Sequence, residues 1–120
     1  LGRVRGLGSA KSGTEHWWLQ RVTAISNIPL VIFLVIFVIR HLGASRAEIV
    51  ASIANPFVAI LLALTFVSVL WHMRLGLQVV IEDYVHGHVA KFAALLANSF
   101  VTVLLGVAAL YAILKMSFGL

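Results

Sequence analysis

The sequence predicts an all-α membrane protein with three transmembrane helices, and three observations carry that prediction. Of its 120 residues 62% are hydrophobic and only 11% are charged, whereas ordinary soluble domains are about 25% charged; the mean hydropathy is +1.06. The apolar residues gather into three stretches of the roughly 20 residues that a helix needs to cross a bilayer. Capping and breaking residues separate these stretches, and no internal repeat is visible. The natural reading is one membrane unit over residues 1–120.

The first span is expected at about 18–40. Its run from Leu30 to Ile39 is wholly apolar, Arg40 and His41 close it, and Pro29 should kink it, because proline removes a helical hydrogen bond and clashes with the preceding turn. The second span, about 55–82, begins at Asn55-Pro56, a capping residue followed by a proline suited to the first helical position. The third runs over about 89–116. Between the first two spans, GASRAEIVASIAN at 43–55 reads as a short interfacial loop or helix. Between the last two, EDYVHGH at 82–88 reads as a tight turn with Gly87 as its breaker.

Basic residues near the span ends set the orientation. Arg3, Arg5, Lys11, Arg21 and Lys91 fall on one side, and Arg40, Arg46 and Lys115 on the other. This bias puts the N-terminal tail and the EDYVHGH turn inside, the C-terminus outside, and Trp17 and Trp18 at the inner interface as aromatic anchors. The net charge of +5 is therefore spread along the flanks of the spans. It serves as a topology signal in a chain surrounded by membrane lipid, and nucleic acid is excluded as a partner. The absence of cysteine rules out disulfides, iron–sulphur ligation and thiol catalysis by this chain. Residues 1–20 are basic and glycine-rich and hold no apolar run of the signal-peptide kind.

Chemistry concentrates in WHMRLGLQVVIEDYVHGH, residues 71–88. An ionisable residue near mid-bilayer costs about 2.5–3.5 kcal/mol on insertion scales, so its presence there points to function. At about 100° per residue, Ser68, His72, Gly76 and Asp83 share roughly one helix face. His72 is the histidine deep within a span; His16, His41, His86 and His88 fall near interfaces or in loops. An imidazole can ligate haem iron, and a glycine one turn away lets a flat macrocycle approach the backbone. A second protein ligand would then come from another subunit. The alternative is that His72 makes an interhelical hydrogen bond. Asp83 and Tyr84 lie about 16–18 Å further along the axis. A phenol can donate to a quinone carbonyl, and a neighbouring carboxylate can tune it or relay protons; equally, the pair can be a helix cap and an interfacial anchor. Arg74, about 200° round the helix from His72, is expected to snorkel or to pair with a partner subunit.

His72, Gly76 and QVVIEDYVHG at 78–87 resemble the second-span signature of the small cytochrome b membrane-anchor subunit of succinate dehydrogenase, respiratory complex II, and SGTEHWWLQRVTAI at 12–25 is similar to the start of that family's first span. The resemblance covers both motifs and the three-span layout; the loop at 43–54 and the third span match only in character. It implies that His72 is an axial ligand of haem b, shared with a histidine of a second, larger cytochrome b anchor subunit, in a helical bundle around the haem. By the same resemblance Arg21 lies near the haem propionates, and Asp83 and Tyr84 stand beside the pocket where ubiquinone, the substrate, is reduced. FAD and the iron–sulphur clusters would belong to the flavoprotein and iron–sulphur partner subunits. Arg74 and Glu82 depart from the family pattern.

The expected function is thus that of an anchor subunit of succinate:ubiquinone oxidoreductase, a part of the enzyme that does not itself oxidise succinate. It would sit in a bacterial inner membrane, with the mitochondrial inner membrane as the alternative. Two rival readings remain at this stage: a small proton or cation transporter with His72, Glu82 and Asp83 as a relay, and an anchor without a cofactor.

Overall fold

The computed structural model describes residues 11–119; Arg3 and Arg5, which contribute to the charge bias, lie outside the described residues. Four helices follow in order: α1 (Lys11–Arg40), α2 (Arg46–Ile53), α3 (Pro56–Tyr84) and α4 (His88–Ser117). α1, α3 and α4 are each long and apolar enough to cross a membrane. The protein is an all-α membrane protein with three spans.

The starts of the helices follow from local chemistry. Asn55 caps α3 by accepting from the Phe57 N–H at 2.9 Å, and Pro56 takes the first helical position, where its missing N–H costs nothing. Segment 43–55 resolves into the short helix α2. Ser45 and Glu48 close a reciprocal capping box there, each side chain accepting the other's backbone N–H at 3.2 Å. α1 is already helical at Lys11, where the described residues start, and stays helical through Pro29. One expectation is corrected. α3 continues through Glu82, Asp83 and Tyr84, so the turn shrinks to Val85, His86 and Gly87. Gly87 caps α4 with φ −76°, an angle open to any residue, so its role in the turn is not one of backbone freedom.

α3 lies between α1 and α4, which make no close backbone approach to each other among the described residues. The two ends of the bundle are held differently. At the α2 end an apolar core of Ile53, Ala59, Leu62 and Ile113 is surrounded by Phe33, Leu34, Phe37 and Met116. There His41 also clips the end of α1 to α2, with Nδ1 2.7 Å from the Phe37 carbonyl and Nε2 2.7 Å from the Ser52 hydroxyl. Toward the Tyr84 end, polar contacts take over the helix interfaces. Most of the outer surface is apolar, with Val31, Ile32, Val103 and Leu104 among its exposed residues, as lipid and neighbouring helices require.

Candidate functional site

The polar contacts between α1 and α3 form a seam. Thr23 is buried on α1, and its Oγ1 lies 3.0 Å from His72 Nδ1 on α3. One turn further toward the α2 end, Ser26 and Ser68 are 2.6 Å apart, and the Ser68 hydroxyl reaches Asn27 Oδ1 at 2.6 Å. One turn the other way, Gln20 approaches Gly76, where an added Cβ would stand 4.0 Å from Gln20 Nε2. The face that carries Ser68, His72 and Gly76 thus meets α1. The α1 members of the seam, Gln20, Thr23, Ser26 and Asn27, did not stand out in the sequence taken alone. Their spacing of three and four residues within an apolar span was the available signal.

His72 is half-buried, and the contact with Thr23 occupies one ring nitrogen. Nε2 has no hydrogen-bond partner among the described residues. At Gly76 nothing in the chain demands a glycine, since a Cβ there meets only an ordinary contact distance, although glycine inside a helix costs about 1 kcal/mol relative to alanine. His16 lies on α1 about 10 Å nearer the chain's start than Thr23, at 1.5 Å per residue. Its Nε2 is buried without a partner among the described residues, as is Gln20 Oε1. It lines a cleft of about 270 Å³ with Glu15, Trp71, Arg74 and Gln78.

The remaining predicted residues stand apart. Arg21 is exposed and lies over the Trp17 ring at 5.4 Å; two positions from Thr23, it projects about 200° away from the seam and is not brought to His72 within this chain. Asp83 and Tyr84 form the exposed last turn of α3, Tyr84 at 75% exposure, and Glu82 accepts from Gln78 at 3.3 Å. Arg74 has partners on α4 and on its own helix. Within this chain Nε and Nη2 donate to Ser99 Oγ on α4 at 3.4 and 3.2 Å, and the guanidinium lies 5.6 Å from the Trp71 ring centre. Asn98, buried on α4, donates to the Arg74 carbonyl at 3.0 Å. A half-buried cation in a span is stabilised by such neutral donors, acceptors and ring faces when they are close at hand. Another cleft, about 630 Å³ and lined by Phe33, Phe37, Arg40, His41 and Asn55 among others, lies at the α2 end, far from His72.

Fold and seam define a small multi-pass membrane protein with a histidine seated inside its bundle and an exposed acid–tyrosine pair at one end. The profile of the succinate dehydrogenase/fumarate reductase transmembrane subunit family matches residues 1–106. Among curated relatives, the succinate dehydrogenase membrane anchor subunit of Reclinomonas americana is 36% identical over 88 residues, covering 71% of this chain and 73% of its own. The hydrophobic membrane anchor subunits of Paracoccus denitrificans and Rickettsia bellii are 33% and 32% identical over 116 and 111 residues, covering 97% and 92% of this chain and 89% of their own lengths. No solved structure matches the chain significantly. The chain belongs to the succinate dehydrogenase/fumarate reductase transmembrane subunit family, as a membrane anchor of succinate dehydrogenase. It is a multi-pass protein of the bacterial inner membrane and associates with the catalytic subunits of that oxidoreductase complex.

Proposed function

We propose that this anchor supplies His72 as one axial ligand of a haem b shared with a second anchor subunit, and that Tyr84 and Asp83 form part of the ubiquinone-reduction site. The observation that carries the haem reading is His72 itself: a half-buried imidazole inside α3, held at one nitrogen by Thr23 and without a partner at the other among the described residues. The residues fit such a group. His72 would offer one nitrogen, the partner anchor would supply the other ligand, and Gly76 keeps the neighbouring turn of α3 free of a side chain. When bound, the haem supplies one-electron redox capacity near the quinone site.

The chain's own residues then do the following. Thr23 holds the His72 ring against α1. Arg21, at the same end of α1 as the Tyr84 turn, offers a guanidinium to the haem propionates. Tyr84 donates its phenol proton to a quinone carbonyl and orients the ring, and Asp83 tunes that phenol or passes protons. The basic bias puts the Tyr84 end on the cytoplasmic side, where the flavoprotein and iron–sulphur subunits dock. The proton-relay alternative needs polar groups through both halves of the bundle. Phe33, Leu34, Ala59 and Leu62 close the α2 half with apolar packing, and this favours the anchor.

The test is the His72→Ala variant in the assembled complex. It should lose or change the low-spin haem spectrum, while His86→Ala and His88→Ala keep it. An unchanged spectrum in the His72 variant overturns the ligand assignment.

A further inference from the structure

The hydroxyl of Thr23 has three polar neighbours and one proton. Its Oγ1 lies 2.8 Å from the Leu19 carbonyl, 3.1 Å from the Gln20 carbonyl and 3.0 Å from His72 Nδ1. Both carbonyl oxygens can only accept, so the hydroxyl proton goes to the backbone, as is usual for threonine bonded to the preceding turn of its helix. The close contact with Nδ1 is a hydrogen bond only if the proton lies on the nitrogen. We infer that Thr23 is a positioning residue for His72: its oxygen accepts Nδ1–H, which fixes the imidazole in the tautomer with the Nε2 lone pair free and sets the plane of the ring.

This inference rests on the reading of His72 as a ligand and adds to it the group that prepares the ligand. A metal-bound imidazole needs its second nitrogen protonated and held, because that bond selects the tautomer, orients the ring and raises the basicity of the ligating nitrogen. Thr23 is suited to this. It is buried at 8% exposure, its own proton is spent within α1, and it sits on the helix opposite His72, so that the α1–α3 packing itself sets the ring angle. A hydroxyl is a weaker acceptor than a carboxylate, so the effect on ligand basicity is modest and the effect on orientation dominates. The Ser26–Ser68–Asn27 bonds one turn away hold the two helices in register at the same level.

The experiment uses the complete complex carrying Thr23→Val, which keeps the branched shape and removes the acceptor, and Thr23→Ser, which restores it. Loss of the partner that orients a ligating histidine costs about 10-fold to 100-fold in affinity. Thr23→Val should therefore lower haem retention by that factor when the complex is washed with a competing apoprotein, and should shift the low-spin ferric resonance, which depends on the angle between the two imidazole planes. Thr23→Ser should return both toward wild type. A purely structural role would lower the yield of assembled complex without moving the resonance of the complexes that do form. Unchanged resonance and retention in Thr23→Val, or no recovery in Thr23→Ser, overturns the assignment of Thr23 while the His72 reading stands. If His72→Ala keeps its haem signal, both fall.

Discussion

Replacing Tyr84 with phenylalanine removes one oxygen from the last residue of α3 and nothing else. The side chain is 75% exposed in the chain, and its hydroxyl has no hydrogen-bond partner among the described residues. The substitution should therefore change the stability of the subunit by less than about 0.5 kcal/mol, the usual range for surface changes away from special features. A donor aimed at an oxygen that gains negative charge during reaction is worth far more: losing one such donor costs about 2.7–4 kcal/mol, or 10²–10³ in turnover. Tyr84 would be one donor among those of a shared site, so the lower end of that range applies, a fall of about 100-fold. The assay is the ratio of succinate-driven ubiquinone reduction to reduction of a dye that accepts electrons upstream of the quinone, measured on the same preparation. The dye rate, the haem spectrum and the yield of complex should match wild type while the ratio collapses. A ratio equal to wild type would show that Tyr84 is an interfacial anchor and that the quinone is reduced without it.

Three further outcomes are expected. Asn98→Ala removes the buried bond from α4 to the Arg74 carbonyl; it should destabilise the subunit by about 1–2 kcal/mol in detergent unfolding, since such interhelical bonds contribute up to about 1.7 kcal/mol and some packing is lost as well, and an unshifted midpoint would mean that apolar contacts alone hold α3 to α4. Arg21→Leu should lower the haem midpoint potential, because a cation near the propionates disfavours the oxidised, more positive state; a potential that stays put or rises argues against that contact. A cysteine at position 46 should react with an impermeant label only from outside and one at position 87 only from the cytoplasmic side, and the reverse pattern would invert the topology.

The sequence by itself determined the number of spans and the family, because both depend on local chemistry. A bilayer of fixed thickness demands about 20 apolar residues wherever it is crossed, and Asn55-Pro56 caps its helix through the backbone of its immediate neighbours. The histidine, the acid and the tyrosine were legible because ionisable groups in an apolar run are conspicuous. Only the tertiary structure decided what these groups face. In lipid the outside of a bundle is as apolar as its inside, so hydrophobic periodicity does not say which side of α3 meets α1. The pairing of His72 with Thr23, 49 residues away in sequence, follows from the antiparallel register of two helices. The same holds for the tie of Arg74 to Ser99 on α4, and for the end of α3, where backbone bonds carry the helix through Tyr84 and leave three residues to turn the chain. Those contacts join distant segments, and their geometry exists only once the helices have packed.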